Sequence, residues 1–206
     1  AFLAPATGHF VVTGESKRDE TQDDAGATLA LDATGGLVWP EARLDFAVHG
    51  EPNPLVGRDG KITARLEAAE LARFFPDSPL AGRLAADVVL EDGEGTLTAR
   101  LDAPGPSGGF LETDGRFTTR EPRSAALRLR ATRLDPARVV HGHPEWKGEL
   151  TGAGTLDLED GSGPARRARL AFALERSQLG RLAIRSGRLD AALAGQTIEL
   201  GGLALE

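Results

Sequence analysis

The sequence predicts an all-β chain: one elongated, curved antiparallel sheet with one or two short helical turns. Three observations predict it. Apolar and polar residues alternate with period two in many short runs, turn-forming pairs separate those runs, and the connections are too short to hold crossover helices. One-sided alternation suits antiparallel strands with one wet face.

Taken in chain order, Gly14 to Gly26 is polar and strongly charged and is expected to form an exposed loop. Glu67 to Phe75, closed by Pro76, is one candidate helical turn. Leu84, Ala86, Val88 and Leu90 alternate with Ala85, Asp87, Val89 and Glu91, and Asp92-Gly93 follows as a hairpin signal. Asp114-Gly115 reads as another turn, and Leu127, Leu129 and Ala131 alternate with arginines and Thr132. Asp135 to Val140 is the second helical candidate, with Asp135 as cap and Pro136 at the first helical position. Gly152-Ala153-Gly154 sits within a strand pattern, where glycine marks a bend or a close approach. Asp160-Gly161, Ser186-Gly187 and Gly195-Gln196 are further turn signals, flanking the runs Leu170-Phe172-Leu174 and Leu189-Ala191-Leu193. Trp146 should open a strand, and Trp39 and Trp146 serve as core anchors or sit at a lip of the sheet.

Composition narrows the function classes. The 206 residues carry a net charge of -7, with no clustered basic surface, so no nucleic-acid partner is expected. Cysteine is absent, which excludes disulfides, thiolate metal sites and a Cys nucleophile. No run reaches the ~18–20 apolar residues of a spanning helix, so no membrane-spanning segment is expected. The lack of any Met leads us to expect a segment of a longer protein.

No catalytic signature stands out, and an enzyme is not expected. The Walker and Rossmann spacings are missing. His141-Gly142-His143-Pro144-Glu145 places two imidazoles and a carboxylate together, but Gly and Pro leave their geometry unfixed, so neither a metal nor any other cofactor is expected. Arg166, Arg167 and Arg169 form a small basic cluster, read as a solvated turn.

The chain also repeats itself. Arg43-Leu44-Asp45 matches Arg188-Leu189-Asp190, and Arg116 falls between them in register, a period of about 72 residues. Leu66–Arg73 resembles Leu129–Pro136, Leu80–Leu84 resembles Trp146–Leu150, and Leu90–Gly93 resembles Leu158–Gly161, always in the same order. Residues 1–206 therefore read as a single elongated repeat segment, with approximate repeats 1–50 (partial), 51–122 and 123–206.

The ordered pattern Leu127–Val140, Trp146–Leu156, Ala168–Gly180 and Ile184–Leu200 resembles the AsmA/TamB family of bacterial envelope proteins. The resemblance implies a long sheet curled into a trough, often called a β-taco. It implies a parent protein anchored in the inner membrane of a Gram-negative bacterium and extending through the periplasm. The implied task is phospholipid transport to the outer membrane, with phospholipid as cargo. Some members also assist outer-membrane protein assembly with a barrel partner, which this chain would reach only through another part of its parent. Two alternatives stay open: a chaperone or scaffold for outer-membrane proteins, and a structural β-repeat spacer of a surface protein.

The residues expected to line the hydrophobic groove and hold lipid are Leu84, Val88, Leu90, Leu97, Leu101, Leu127, Leu129, Leu156 and Leu158. Leu170, Phe172, Leu174, Leu182, Ile184, Leu189, Leu193, Ile198 and Leu200 complete the set. Sequence leaves open whether this face is free for a guest or filled by the protein itself, as in a closed sandwich.

Overall fold

The computed structural model describes residues 7–17, 28–39, 42–50, 60–71, 80–160, 167–194 and 197–206. Among them run fourteen strands. The first seven are β1 (Thr7–Lys17), β2 (Thr28–Trp39), β3 (Ala42–Gly50), β4 (Gly60–Glu70), β5 (Arg83–Glu91), β6 (Glu94–Asp102) and β7 (Phe110–Thr118). Then come β8 (Arg123–Leu134), β9 (Gly148–Asp160), β10 (Arg167–Leu174), β11 (Ser177–Leu179), β12 (Leu182–Ile184), β13 (Gly187–Ala194) and β14 (Thr197–Leu205). They form one open, curved antiparallel sheet. Each strand pairs with its neighbour in sequence from β1 to β10, and β10 then pairs with β13 and β13 with β14. The short β11–β12 hairpin joins through β11 to the start of β9.

Period-two alternation explains why these runs are strands, and turn chemistry explains where several end. Asp92 and Gly93 both have positive φ (51° and 78°), as a two-residue turn matched to the strand twist requires. β8 ends in a bulge between Ala131 and Leu134 and passes into α1 (Pro136–Val139). The Asp135 carboxylate accepts from Ala137 N and Pro136 takes the first turn, so this predicted turn forms as expected. A 3-10 turn follows at Pro144–Trp146.

The extensive contacts between strands are all between hydrogen-bonded neighbours. No second layer covers the sheet among the described residues. The chain exposes 14143 Å², against about 9,200 Å² for a compact monomer of its 21.6 kDa. No large side chain is fully buried among the described residues. A small core of Leu101, Ala103 and Val139, packed by Leu71, Leu111, Leu134 and Val140, lies at one end of the central strands, where α1 folds back.

Several expectations are corrected. Asp114-Gly115 is no turn but lies inside β7. A Cβ at Gly115 would press on the Ala126 carbonyl and on Leu127, so this glycine allows two strands to approach. Gly14 to Lys17 continue β1 rather than open a loop, and positions 18–26 lie outside the described residues. Glu67 to Glu70 belong to β4, with a bulge between Leu66 and Ala69. Leu71 alone of that candidate turn is helical, and 72–75 lie outside the described residues. Trp146 opens no strand. It closes the 3-10 turn, 38% exposed and stacked on the His143 ring at 4.0 Å, so it anchors no core. Arg167 and Arg169 sit in β10, not in a turn, while Arg166, Gly161, Gly195 and Gln196 lie outside the described residues.

Two of the sequence matches correspond to shared geometry. Both β4 and β8 end in a bulge followed by a helical residue, and the flanking segments meet in the Leu80–Val140 bridge. Arg43 and Arg188 occupy the second position of β3 and of β13 and each grips the aspartate two residues on. Arg116 breaks the match: it lies near the end of β7 rather than its start.

Candidate functional site

In an antiparallel ladder, directly opposed residues project from the same face. The register therefore decides which apolar residues share a surface. Leu84, Val88 and Leu90 of β5 oppose Leu101, Leu97 and Gly95 of β6. β6 places Leu101 and Leu97 opposite Leu111 and Gly115 of β7, and β7 places Gly115 and Thr113 opposite Leu127 and Leu129 of β8. Leu127 then opposes Leu156, and Ala125 opposes Leu158. β10 continues the row: Leu170 opposes Leu156, Phe172 opposes Gly154 and Leu174 opposes Gly152. Leu189 and Leu193 of β13 follow, opposite Phe172 and Ala168. Ile198 and Leu200 occupy the register positions opposite Leu193 and Ala191.

Sixteen of the eighteen expected groove residues thus fall on one face of the path from β5 to β14. The other two, Leu182 and Ile184, sit on β12. By register they continue the same side, through Leu179 and Ser177 of β11 to Gly148 of β9. They differ in environment: Ile184 is 4% exposed and Leu182 is 48% exposed.

The same face extends further than the sequence reading took it. Leu44, Phe46 and Val48 of β3 oppose Leu66, Ala64 and Ile62 of β4, which oppose Ala86, Val88 and Leu90 of β5. Leu37 of β2 opposes Leu44. The signal was present, since Leu44, Phe46 and Val48 alternate with Asp45, Ala47 and His49. Leu111 and Phe117 were also missed, because the Asp114-Gly115 pair suggested a turn in the middle of their strand.

Most of these side chains are half-buried, with Leu90 at 4% and Leu182 at 48% marking the range. That burial comes from curvature and from neighbours on the same face, and at Leu101 also from Val139 and Val140 at α1. Glycines set the depth of the floor. A Cβ at Gly152 or Gly154 would strike β10 backbone and the Phe172 ring, and one at Gly95 would strike the Phe117 ring. Each ring fills the space its opposing glycine leaves. Thr113 is the polar exception, its Oγ buried without a partner.

The opposite face is charged. Lys61–Glu91, Arg65–Asp87, Arg100–Glu112 and Arg128–Asp114 are ion pairs between directly opposed residues, at 3.5, 3.6, 3.1 and 3.1 Å. Arg169 and Arg167 stand at the register positions opposite Asp157 and Glu159. The hydrogen bond from the Arg43 guanidinium holds the Asp45 carboxyl below its ordinary range. His49 is exposed and contacts Asp32. Solvated pairs of this kind add little stability each, but they keep this face wet and penalise a one-residue slip, which would turn every charge inward.

His143 Nδ1 lies 2.9 Å from Glu145 Oε1, and that contact lowers the Glu145 pKa. Among the described residues no group of three or more His, Asp or Glu side chains converges. No helix among them is long and apolar enough to cross a membrane. No known family, curated protein or solved structure matches the chain. What the arrangement offers chemically is a surface: a strip of Leu, Val, Ala and Phe crossing ten strand-to-strand steps from β2 to β14, roughly 50 Å at about 4.8 Å per step.

Proposed function

We propose that this chain supplies a hydrophobic trough for acyl chains, as one segment of an AsmA/TamB-like periplasmic protein that conveys phospholipid between the inner and outer membranes. The single observation that carries the reading is the continuous apolar face on a sheet with no covering layer. Soluble proteins rarely leave so large an apolar strip exposed unless something binds it. Leucine and valine favour methylenes by about 25 cal/mol per Å² removed from water, and they do so without selecting a shape. The charged outer face suits an aqueous compartment.

A photo-crosslinking residue at Leu129, Leu170 or Leu189, introduced into the parent protein in cells, tests this. Phospholipid adducts are expected there and not from Arg128, Arg169 or Arg188, the neighbouring positions on the charged face. Adducts from the arginine positions alone overturn it. A second reading, a scaffold for outer-membrane protein strands, is favoured by the two free sheet edges, β1 and β14, each paired on one side only among the described residues. Adducts to barrel precursors without lipid select that reading instead.

A further inference from the structure

We propose that the cleft where β9 passes from pairing with β10 to pairing with β11 binds a phosphate oxyanion. β10 leaves β9 at Gly152, and β11 takes up pairing at Glu149. The fork between them opens a cavity of about 650 Å³, with Arg133, Glu149, Thr151, Arg176 and Arg185 on its walls.

Two arginines there face each other without compensation. Ser177 opposes Ile184 in the β11–β12 ladder. Arg176 precedes the first and Arg185 follows the second, so they stand across from one another at the open end of the hairpin. Like charges at opposed positions destabilise a ladder. Among the described residues neither guanidinium has an ion-pair or side-chain hydrogen-bond partner. Elsewhere on the charged face several opposed residues pair by opposite sign, as in Arg65–Asp87 and Arg128–Asp114.

The frame that holds them is rigid. Ser177 is 7% exposed, and its hydroxyl accepts from Thr151 N at 3.0 Å and donates to Thr151 O at 3.2 Å. Ile184 is 4% exposed. Both arginines therefore flank pinned backbone.

A third arginine is aimed by its own backbone. Arg133 has φ 48°, a left-handed conformation uncommon for a residue with a side chain, and it lies in the β8 bulge. Bulges re-aim side chains. Its Nε and Nη2 donate to the Glu149 carboxylate at 3.2 and 3.1 Å, which fixes the guanidinium plane and leaves Nη1 without a partner among the described residues. The walls then carry three guanidiniums and one carboxylate, a net surplus of two positive charges. Guanidinium forks match the oxygen spacing of phosphate. A phosphate group between Arg176 and Arg185 cancels their repulsion and reaches Arg133. The group is either a soluble phosphate or the headgroup of a phospholipid, the second source resting on the trough reading above.

The test is an NMR titration of the arginine Nε–Hε signals of the purified chain, with inorganic phosphate in one arm and dihexanoylphosphatidylglycerol, below its micelle concentration, in the other. Arg176 and Arg185 signals should shift saturably in at least one arm, and the R176Q/R185Q variant should bind at least tenfold more weakly. In phosphate-free buffer that variant should unfold at higher urea than the parent chain, because the opposed charges are gone. Saturation by the lipid alone assigns the headgroup, and saturation by inorganic phosphate assigns the phosphate group itself. Shifts that never saturate, shifts that appear equally at Arg65, or an Arg133 shift that saturates as tightly in R176Q/R185Q overturn the proposal. Crosslinks from Leu129, Leu170 and Leu189 do not depend on this cleft, so either reading can fail while the other stands.

Discussion

Replacing Leu156 by Asp separates an open trough from a self-filled core. Leu156 lies mid-strand on the apolar face, between Leu127 and Leu170, and is half-buried. In an open trough an aspartate there stays in water, so folding loses only the contacts to its two leucine neighbours. Fully burying a leucine is worth ~1.5–3 kcal/mol. The fold realises part of that, so Leu156→Asp should cost about 1–2 kcal/mol. A closed core would instead hold an unpaired carboxylate away from water, and the loss would exceed about 4 kcal/mol. Binding should respond more than folding does. An acyl chain crossing Leu156 gains about 1 kcal/mol there, roughly fivefold in affinity, and covering a carboxylate costs more still. A drop of at least tenfold is therefore expected. The control is Thr155→Asp, the same charge one residue away on the exposed opposite face, beside Arg128. Urea unfolding and displacement of a fluorescent fatty acid measure the two effects. The reasoning is refuted if Leu156→Asp costs about 4 kcal/mol or more, or if Thr155→Asp weakens binding as much.

Thr113→Val should raise stability by about 1 kcal/mol, because the hydroxyl it removes is buried without a partner; chemical denaturation reads this directly. Asp135→Ala should cost about 1–3 kcal/mol, since Asp135 caps α1 at Ala137 N, accepts from Gly148 N and pairs with Arg138. The Arg133 hydrogen bond lowers the Glu149 pKa, so this pair's contribution is present above the ordinary Glu range and is lost as pH falls through the lowered value. Carbon-detected titration should find Glu149 ionising below the ordinary Glu range, and Glu149→Gln should remove that part of the acid sensitivity.

Much of the fold was legible because its signal is local. Alternation marks a strand and its two faces without knowledge of any partner, so the apolar row from Leu84 to Leu193 could be drawn before the register was known. The Asp135–Pro136 turn was legible for the same reason: the cap and the proline lie beside each other in sequence. Misreadings arose where one residue type serves two purposes. Asp114-Gly115 has the chemistry of a turn, but Gly115 is there to let Leu127 come close, and only the neighbouring strand reveals it. Trp146 looked like an anchor by size, while its position after Pro144 holds it in a surface turn against His143. The arginine cleft could not be read at all. Arg133 reaches it through a left-handed bulge, and Arg176 meets Arg185 only once the hairpin between them has formed.

Pairing between successive strands has a kinetic consequence. Every main-path ladder except β10–β13 joins strands adjacent in sequence, and the exception spans only a short hairpin. The mean loop closed by a contact is therefore small for an all-β protein, and small loops close at low entropic cost. Such a chain zips one strand at a time as it emerges, with no distant segment to wait for. By the same logic unfolding of this chain should begin at its outermost described strands, β1 and β14, and retreat inward, so that amide exchange slows progressively toward β8 and β9.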